Sequence, residues 1–326
     1  MKIRWNFQHN LALDRSDWPA AAPERPELPP VRPVHLVRPD RQTVHSWESD
    51  ASSAKRVDEI LRELQSLIGL TSVKNLVLEM QAFVEIQKKR AREHLATEPM
   101  VLHMIFKGNP GTGKTTVARI IGKLFKEMGV LQKGHLIEVE RADLVGEYIG
   151  HTAQKTRDQM KRALGGILFI DEAYALARGG EKDFGKEAID TMVKVMEDYK
   201  DNLILILAGY REEMDRFIRT NPGLRSRFPI HIDFPDYTID ELMAIAELML
   251  TNRQYWLTSE AKATLKQILE KNTGLGHEHS GNARLVRNLI ERAIRRQAVR
   301  LINQKEVTRD DLVLIRSDDF EHRNDY

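Results

Sequence analysis

Gly108-Asn109-Pro110-Gly111-Thr112-Gly113-Lys114-Thr115 fills the pattern G-x-x-x-x-G-K-[ST] without a gap. Glycines let the backbone turn tightly with no side chain in the way. The peptide N–H groups then converge on phosphate oxygens, and the helix that follows adds the positive end of its dipole. Lys114 brings a point charge to the β- and γ-phosphates, the Thr115 hydroxyl is suited to ligate Mg²⁺, and Thr116 carries the binding stretch into the helix. The flanks agree with this reading. Val101–Phe106 is a short apolar run that predicts a strand, and Thr116–Met128 carries Val117, Ile120, Ile121 and Leu124 at helical spacing.

A phosphate loop needs an acid to hold the metal and, for hydrolysis, a base for water. Ile167-Leu168-Phe169-Ile170 is wholly apolar, as expected of a strand buried on both faces of a parallel sheet, and it runs into Asp171-Glu172. In an open α/β sheet the C-terminal strand ends face the ligand crevice. Asp171 then holds the Mg²⁺ shell, and Glu172 polarises the attacking water.

Outward from these two stretches, strands and helices alternate. His135–Glu140, Leu203–Ala208 and Ile230–Ile232 read as further strands, Thr156–Leu164 and Lys186–Tyr199 as helices, Arg141–Lys155 as a polar loop, and Asn221-Pro222-Gly223 as a turn. Ahead of them lie two helices. One carries Val57, Ile60, Leu61, Leu64, Leu67 and Ile68; the other opens at Thr71 or Ser72 and carries Val73, Leu76, Val77, Met80 and Phe83. Lys88–Arg92 reads as a solvated face. From Pro235 the strand signal stops. Thr238-x-x-Glu241 is a capping box, and three helical patterns follow. The fold class is α/β: a P-loop NTPase parallel sheet over 56–234, then a small all-α lid over 235–317 and a polar tail over 318–326. Residues 1–55 differ. Seven of the twelve prolines and three of the four tryptophans (Trp5, Trp18 and Trp47) fall there, so this segment reads as an extended, disordered N-terminal stretch in which Met1–Leu13 is either a free tail or a docking element.

Composition narrows the function. A net charge of +2, from 50 basic and 48 acidic residues, gives no reason to expect a nucleic-acid or anionic-membrane partner. With no cysteine, disulfides, Cys-based zinc sites and a Cys nucleophile are excluded, which suits a reducing cytoplasm. The longest apolar run, Leu203–Ala208, is too short to span a bilayer. His277 and His279 read as a solvated loop rather than metal ligands.

The order of Gly108–Thr115, Asp171-Glu172, Asn221–Arg227 and the helical tail resembles the AAA+ ATPases. Within them it is similar to the CbxX/CfqX family, which includes the red-type rubisco activases and stage V sporulation protein K; Lys107–Thr116, Arg141–Thr156 and Gly166–Ala188 look especially like the sporulation protein. The resemblance covers roughly 56–316. It implies ATP and Mg²⁺ as ligands, with Ile68-Gly69 lining the adenine pocket. Arg227 matches the arginine finger that reaches the γ-phosphate of a neighbouring subunit, Arg225 being the lesser candidate. Arg284 matches the lid arginine that touches the same phosphate from its own subunit. One departure stands out: where many relatives place Asn or Thr to orient water, this chain reads Ala208-Gly209-Tyr210. Tyr210 takes that role, or the water is held otherwise.

A finger acting in trans implies a ring, here a homo-hexamer. Tyr148-Ile149-Gly150 falls where related rings point an aromatic into a central pore, and the Arg178–Gly185 loop is a candidate second pore element. The expected function is ATP hydrolysis that remodels a protein partner, in spore maturation by likeness to the sporulation protein, with no nucleic acid and no membrane. The alternatives are a nucleic-acid motor with the same ATP chemistry, and an ATP-gated assembly scaffold with little need for turnover.

Overall fold

The computed structural model describes residues 51–97, 101–148, 150–179, 184–199, 202–274, 281–302 and 304–320. The proline-rich stretch up to residue 50, Ile149, residues 180–183 of the Arg178–Gly185 loop, and His277 and His279 lie outside them.

Five strands form one parallel sheet: β1 (Met104–Gly108), β2 (Leu136–Val139), β3 (Ile167–Ile170), β4 (Ile204–Gly209) and β5 (Ile230–Phe234), in the order β2-β3-β4-β1-β5. The phosphate-loop strand therefore lies between β4 and β5, with β4 separating it from the strand that carries the acid pair. Strand period sorts the core into two layers. Met104, Phe106, Ile167, Phe169, Ile204 and Ile206 point to one face, under α1 (Ala51–Ser66), α2 (Thr71–Arg92) and α3 (Lys114–Glu127). Ile105, Leu168, Ile170, Leu205 and Leu207 point to the other, under α5 (His151–Arg162), α6 (Gly185–Asp198) and α7 (Arg211–Thr220). Each is fully or almost fully buried, which stabilises by roughly 1.5–3 kcal/mol per side chain. An all-apolar run such as Ile167–Ile170 is thus what a strand covered on both faces requires.

Several elements differ from the sequence pattern, each for a local reason. Helix α1 starts at Ala51, inside the segment read as proline-rich and ahead of Val57; its first turns are polar, so apolar spacing cannot register them, and Arg56 is fixed by a 2.5 Å ion pair to Glu127 of α3. On α2 the buried stripe is Val73, Val77, Met80 and Val84, whereas Phe83 is 48% exposed; the stripe steps by four and three, and Phe83 falls one position off it. Arg141–Lys155 is not one loop. Glu140 and Asp143 form a reciprocal cap around the short helix α4 (Arg141–Leu144), and α5 begins at His151 behind a left-handed Gly150. Asn221-Pro222-Gly223 opens a one-turn helix, α8 (Pro222–Arg225), with proline at its first position.

The lid is built on α9 (Ile239–Thr251), α10 (Ser259–Gly274) and α11 (Asn282–Ile302), packed through Leu242, Ala246, Leu265, Leu269, Val286 and Ile290. Thr238 caps α9 through Glu241 as its spacing predicts. The strand signal does not end at Pro235, however: β6 (Trp256–Leu257) pairs in parallel with β7 (Leu314–Ile315), which follows the short α12 (Arg309–Val313). Two residues per strand are too few to show alternation. Among the described residues, no helix is long and apolar enough to cross a membrane.

One core group makes stability depend on pH. His103 is 4% exposed, its Nδ1 accepts the Leu205 N–H at 3.1 Å, and burial holds its pKa down at about 4, against 6.5 unperturbed. The neutral ring's contribution is present in full above pH 6.5 and is lost as pH falls toward about 4, because the unfolded chain takes the proton first. Urea unfolding is expected to lose up to about 1.4 kcal/mol per pH unit through that window from this group. His103→Gln keeps an acceptor without a titration and should show a shallower dependence; an equal slope in both chains would remove His103 as the cause.

Candidate nucleotide site

Strand β1 ends at Gly108 and the chain turns through Asn109–Gly113 into α3. Gly113 caps that helix with φ +97, a left-handed conformation that costs glycine little. The loop's outer side is held by its own groups: the Thr112 hydroxyl donates to the Asn109 carbonyl at 2.8 Å, and Thr112 is fully buried. Lys114 Nζ donates to the Gly108 and Asn109 carbonyls at 2.8 and 2.9 Å. Burial pushes its pKa down, the Asp171 carboxylate draws it back up, and Arg284 opposes it with like charge. Charged groups from separate elements, Asp171, Arg284, Asp236 and Glu172, thus act on one point.

That point lies in a cleft of about 1000 Å³ between the sheet's C-terminal edge and the lid. Gly108, Pro110, Gly111, Gly113, Lys114, Thr115 and Thr116 form its floor, and Asp171 and Glu172 stand at one wall. Leu67, Ile68 and Leu70 face Ile245, Leu248 and Met249 of α9 across an apolar end, and Arg284 approaches from α11. Gly69 takes φ +63 and lies against the Tyr237 ring and the Glu241 carboxylate, turning Ile68 and Leu70 to the cleft. A basic floor, an acidic wall and an apolar end match a triphosphate, its metal and a base in turn. The loop's left-handed glycines, the half-buried Lys114 and Thr115, and Asp171 across from them form a donor set that fits a nucleotide and a hard divalent ion.

The other predicted residues fall elsewhere. The side chains of Asn109 and Thr112 do not line the cleft; Asn109 turns to Asp236, at 3.0 and 2.9 Å. Arg227 is outside it too, with its guanidinium on the Glu197 carboxylate and, at 2.9 Å, on the Gly223 carbonyl. Tyr148 is 65% exposed and meets His151 edge-to-face with centroids 5.5 Å apart, beside Gly150 at φ +83.

Several residues at the site are not apparent from the sequence pattern. Arg287, three residues beyond Arg284, shares its helix face and lines the same cleft. Tyr237 lies between the apolar end and the loop, and its hydroxyl donates to the Thr112 carbonyl at 3.2 Å. Glu172 has left-handed backbone, φ +46 and ψ +42. The 3₁₀ turn it opens, Ala173–Ala177, brings back Tyr174, whose hydroxyl is raised by burial, then by the Glu172 charge and a hydrogen bond to that carboxylate. Arg178 sits 4.6 Å over the Tyr174 ring, and Tyr210 is 6.1 Å away, its own hydroxyl raised by burial and then by Glu172. Two tyrosines in contact with each other therefore both feel the glutamate's charge.

The chain has clear relatives among known proteins. The family described as "ATPase family associated with various cellular activities (AAA)" matches residues 104–236, and the family described as "AAA lid domain" matches 238–326. Stage V sporulation protein K of Bacillus subtilis (strain 168) is 59% identical over 263 residues, spanning 80% of this chain and 81% of that protein. This chain belongs to the AAA+ ATPases. The chloroplastic ribulose bisphosphate carboxylase/oxygenase activase of Cyanidioschyzon merolae is 46% identical to this AAA+ chain over 268 residues, 81% of it and 91% of the activase. Protein CbxX (plasmid) of Cupriavidus necator is also 46% identical, over 82% of this chain and 84% of its own. Among solved structures, a mutant of Thermotoga maritima RuvB matches with a TM-score of 0.53 at 21% identity, covering 79% of this chain and 69% of RuvB. That likeness shows the AAA+ fold alone. The AAA+ chain is thus an ATPase that binds nucleotide, and the cleft above is where its phosphate loop lies.

Proposed function

We propose that this ATPase works as a homo-hexameric ring in the cytoplasm, turning over ATP with Mg²⁺ to remodel a protein partner. The observation that carries the reading is the position of Arg227. It lies outside its own chain's cleft, in the stretch where the family resemblance has its arginine finger, so it serves a neighbour's site. A heterologous contact of that kind closes into a ring.

In this reading the chain's own residues divide the work. Backbone N–H groups of 111–115 and the start of α3 hold the phosphates, and Lys114 neutralises the β/γ oxygens. Thr115 and Asp171 would hold Mg²⁺, which would supply charge neutralisation when bound. Glu172 takes a proton as water oxygen bonds to the γ-phosphorus and the bond to the β-bridging oxygen breaks. Tyr174 and Tyr210 orient Glu172 and the water, filling the place of the polar residue missing after β4. Arg284 from the lid, with Arg227 of the next copy, meets the charge that spreads over the γ oxygens. Ile68 and Leu70 sandwich the base against α9.

Tyr148 is an exposed aromatic at the head of α5, and Val145 and Glu147, just before it, line the nucleotide cleft. A change at the phosphates can therefore move the ring that grips an extended polypeptide by apolar contact. The sporulation protein's name supports a role in spore maturation for this chain too. The test is binding of a fluorescent unstructured polypeptide to the Glu172→Gln chain with ATP. Anisotropy is expected to rise, and the rise to be lost when Tyr148→Ala is added. Strong activation of ATP turnover by single-stranded DNA, with no polypeptide response, would reverse the reading toward a nucleic-acid motor.

A further inference from the structure

A phosphate cradle works by aiming its peptide N–H groups inward, and that leaves its carbonyls pointing outward in need of donors. Here the lid and the hinge that leads into it, Asp236 and Tyr237 between β5 and α9, supply them. Asn282 opens α11, is 1% exposed and has φ +44, a conformation asparagine tolerates better than most residues. Its amide nitrogen donates to the Pro110 carbonyl at 3.4 Å and to Asp236 Oδ1 at 2.7 Å. Its amide oxygen accepts the Tyr237 N–H at 3.0 Å. Those partners settle the amide's orientation, since a carboxylate only accepts and a peptide N–H only donates. The Ala283 N–H donates to the Gly111 carbonyl at 3.2 Å, and the Tyr237 hydroxyl to the Thr112 carbonyl. Asp236 closes the circuit by accepting from Asn109 on both oxygens. Each of residues 109–112 is therefore held by a group from the hinge or the lid. The approach is close: a Cβ on Gly111 would lie 2.5 Å from the Gly281 carbonyl and 2.8 Å from the Arg284 nitrogen.

We propose that Asn282 is a positioning residue for nucleotide binding, tying the lid helix to the phosphate loop through Asp236 so that loop and lid meet the nucleotide as one unit. Lid opening removes the outward donors and slackens the cradle, so phosphate affinity and lid closure are linked in both directions. Asn282 and Asp236 touch no reacting atom; they act through the loop.

The experiment is titration of the full chain with a fluorescent ADP analogue. Asn282→Asp turns the donor facing Asp236 into an acceptor, and is expected to weaken binding about tenfold. Asp236→Asn removes a negative charge near Lys114. A field effect alone would make an anion bind more tightly there, whereas loss of positioning makes it bind more weakly, by about fivefold or more. The exchange Asn282→Asp with Asp236→Asn restores a donor–acceptor pair and the parent net charge, and should recover binding to within about threefold. In each single variant hydrogen exchange should quicken at 109–113 and 281–286 while β3 and β4 keep parental protection, which a general loss of stability would not do. Parental affinity in Asn282→Asp, tighter binding in Asp236→Asn, or an exchange variant no better than the weaker single overturns the proposal. If Asn282→Asp does not fold, Asp236→Asn decides alone, because its carboxylate is exposed and not part of the core.

Discussion

A Glu172→Gln chain is expected to bind ATP with parental affinity and to hydrolyse it at least about a hundredfold more slowly. The reasoning starts at the backbone. Leaving β3, the chain takes left-handed dihedrals at Glu172, a conformation non-glycine residues seldom adopt, and the Glu172 N–H is held by Asp171 Oδ1 at 3.0 Å. Asp171, half-buried, is thereby separated in direction from Glu172, which is exposed at the cleft wall and acts on the hydroxyls of two tyrosines packed against each other. Glutamine keeps the length and hydrogen-bonding shape but cannot take a proton. Lys114 and the loop are untouched, so ground-state binding stays. Single-turnover chase against equilibrium binding separates the two quantities. Tyr174→Phe, which removes the hydroxyl on Glu172, should lower turnover by a smaller factor with affinity unchanged. Parental turnover in Glu172→Gln would mean that another group activates the water.

The contrast between what the chain announces and what it conceals follows from how information sits along it. Gly108–Thr115 and Ile167–Glu172 are contiguous, because a loop entering a helix and a strand ending at a crevice each need adjacent residues of restricted type. The buried strands announce themselves for the same reason: sheet faces covered by α1–α3 and α5–α7 admit only apolar side chains. Tyr237, Asp236 and Asn282 do not, since their meaning comes from meeting residues 109–112 across more than a hundred positions of sequence, and Arg287 does not, since only the fold brings it to the cleft. A lone Asn before a helix reads as a cap, and nothing in its neighbours says that it faces the phosphate loop. Phe83 shows the opposite error. Apolar character at near-helical spacing put it in the core, while the packing geometry of α2 chose Val84 instead. The Arg141–Lys155 stretch was opaque because its two helices start with polar caps and a glycine, which resemble loop composition until the reciprocal bonds of Glu140 and Asp143 are seen.

Arg227→Ala is expected to lower ATP turnover about a thousandfold or more, with nucleotide binding little changed, if its guanidinium completes a neighbour's site as proposed. Within its own chain Arg227 is already engaged: Glu197 and the Gly223 carbonyl hold it at the end of α8, and Phe228 beside it is buried against His103. That ion pair with Glu197 is solvent-exposed and worth little, so its loss should spare the fold, and thermal unfolding of Arg227→Ala should match the parent closely. The sharper measurement mixes two dead proteins. A Glu172→Gln copy still carries the arginine, and an Arg227→Ala copy still carries the glutamate. In a mixed ring, about one interface in four joins an intact cleft to an intact arginine, the product of two even odds. Activity should reappear on mixing, rise with the extent of exchange between rings and fall on dilution. Glu197 offers an internal check, since Glu197→Gln frees the guanidinium without removing it and should slow turnover far less than Arg227→Ala does. If Arg227→Ala hydrolyses ATP at the parental rate, or if the mixture stays as inactive as its components while the chains demonstrably co-assemble, the cleft is complete within one chain, and Arg284 and Arg287 supply all the positive charge that its γ-phosphate meets.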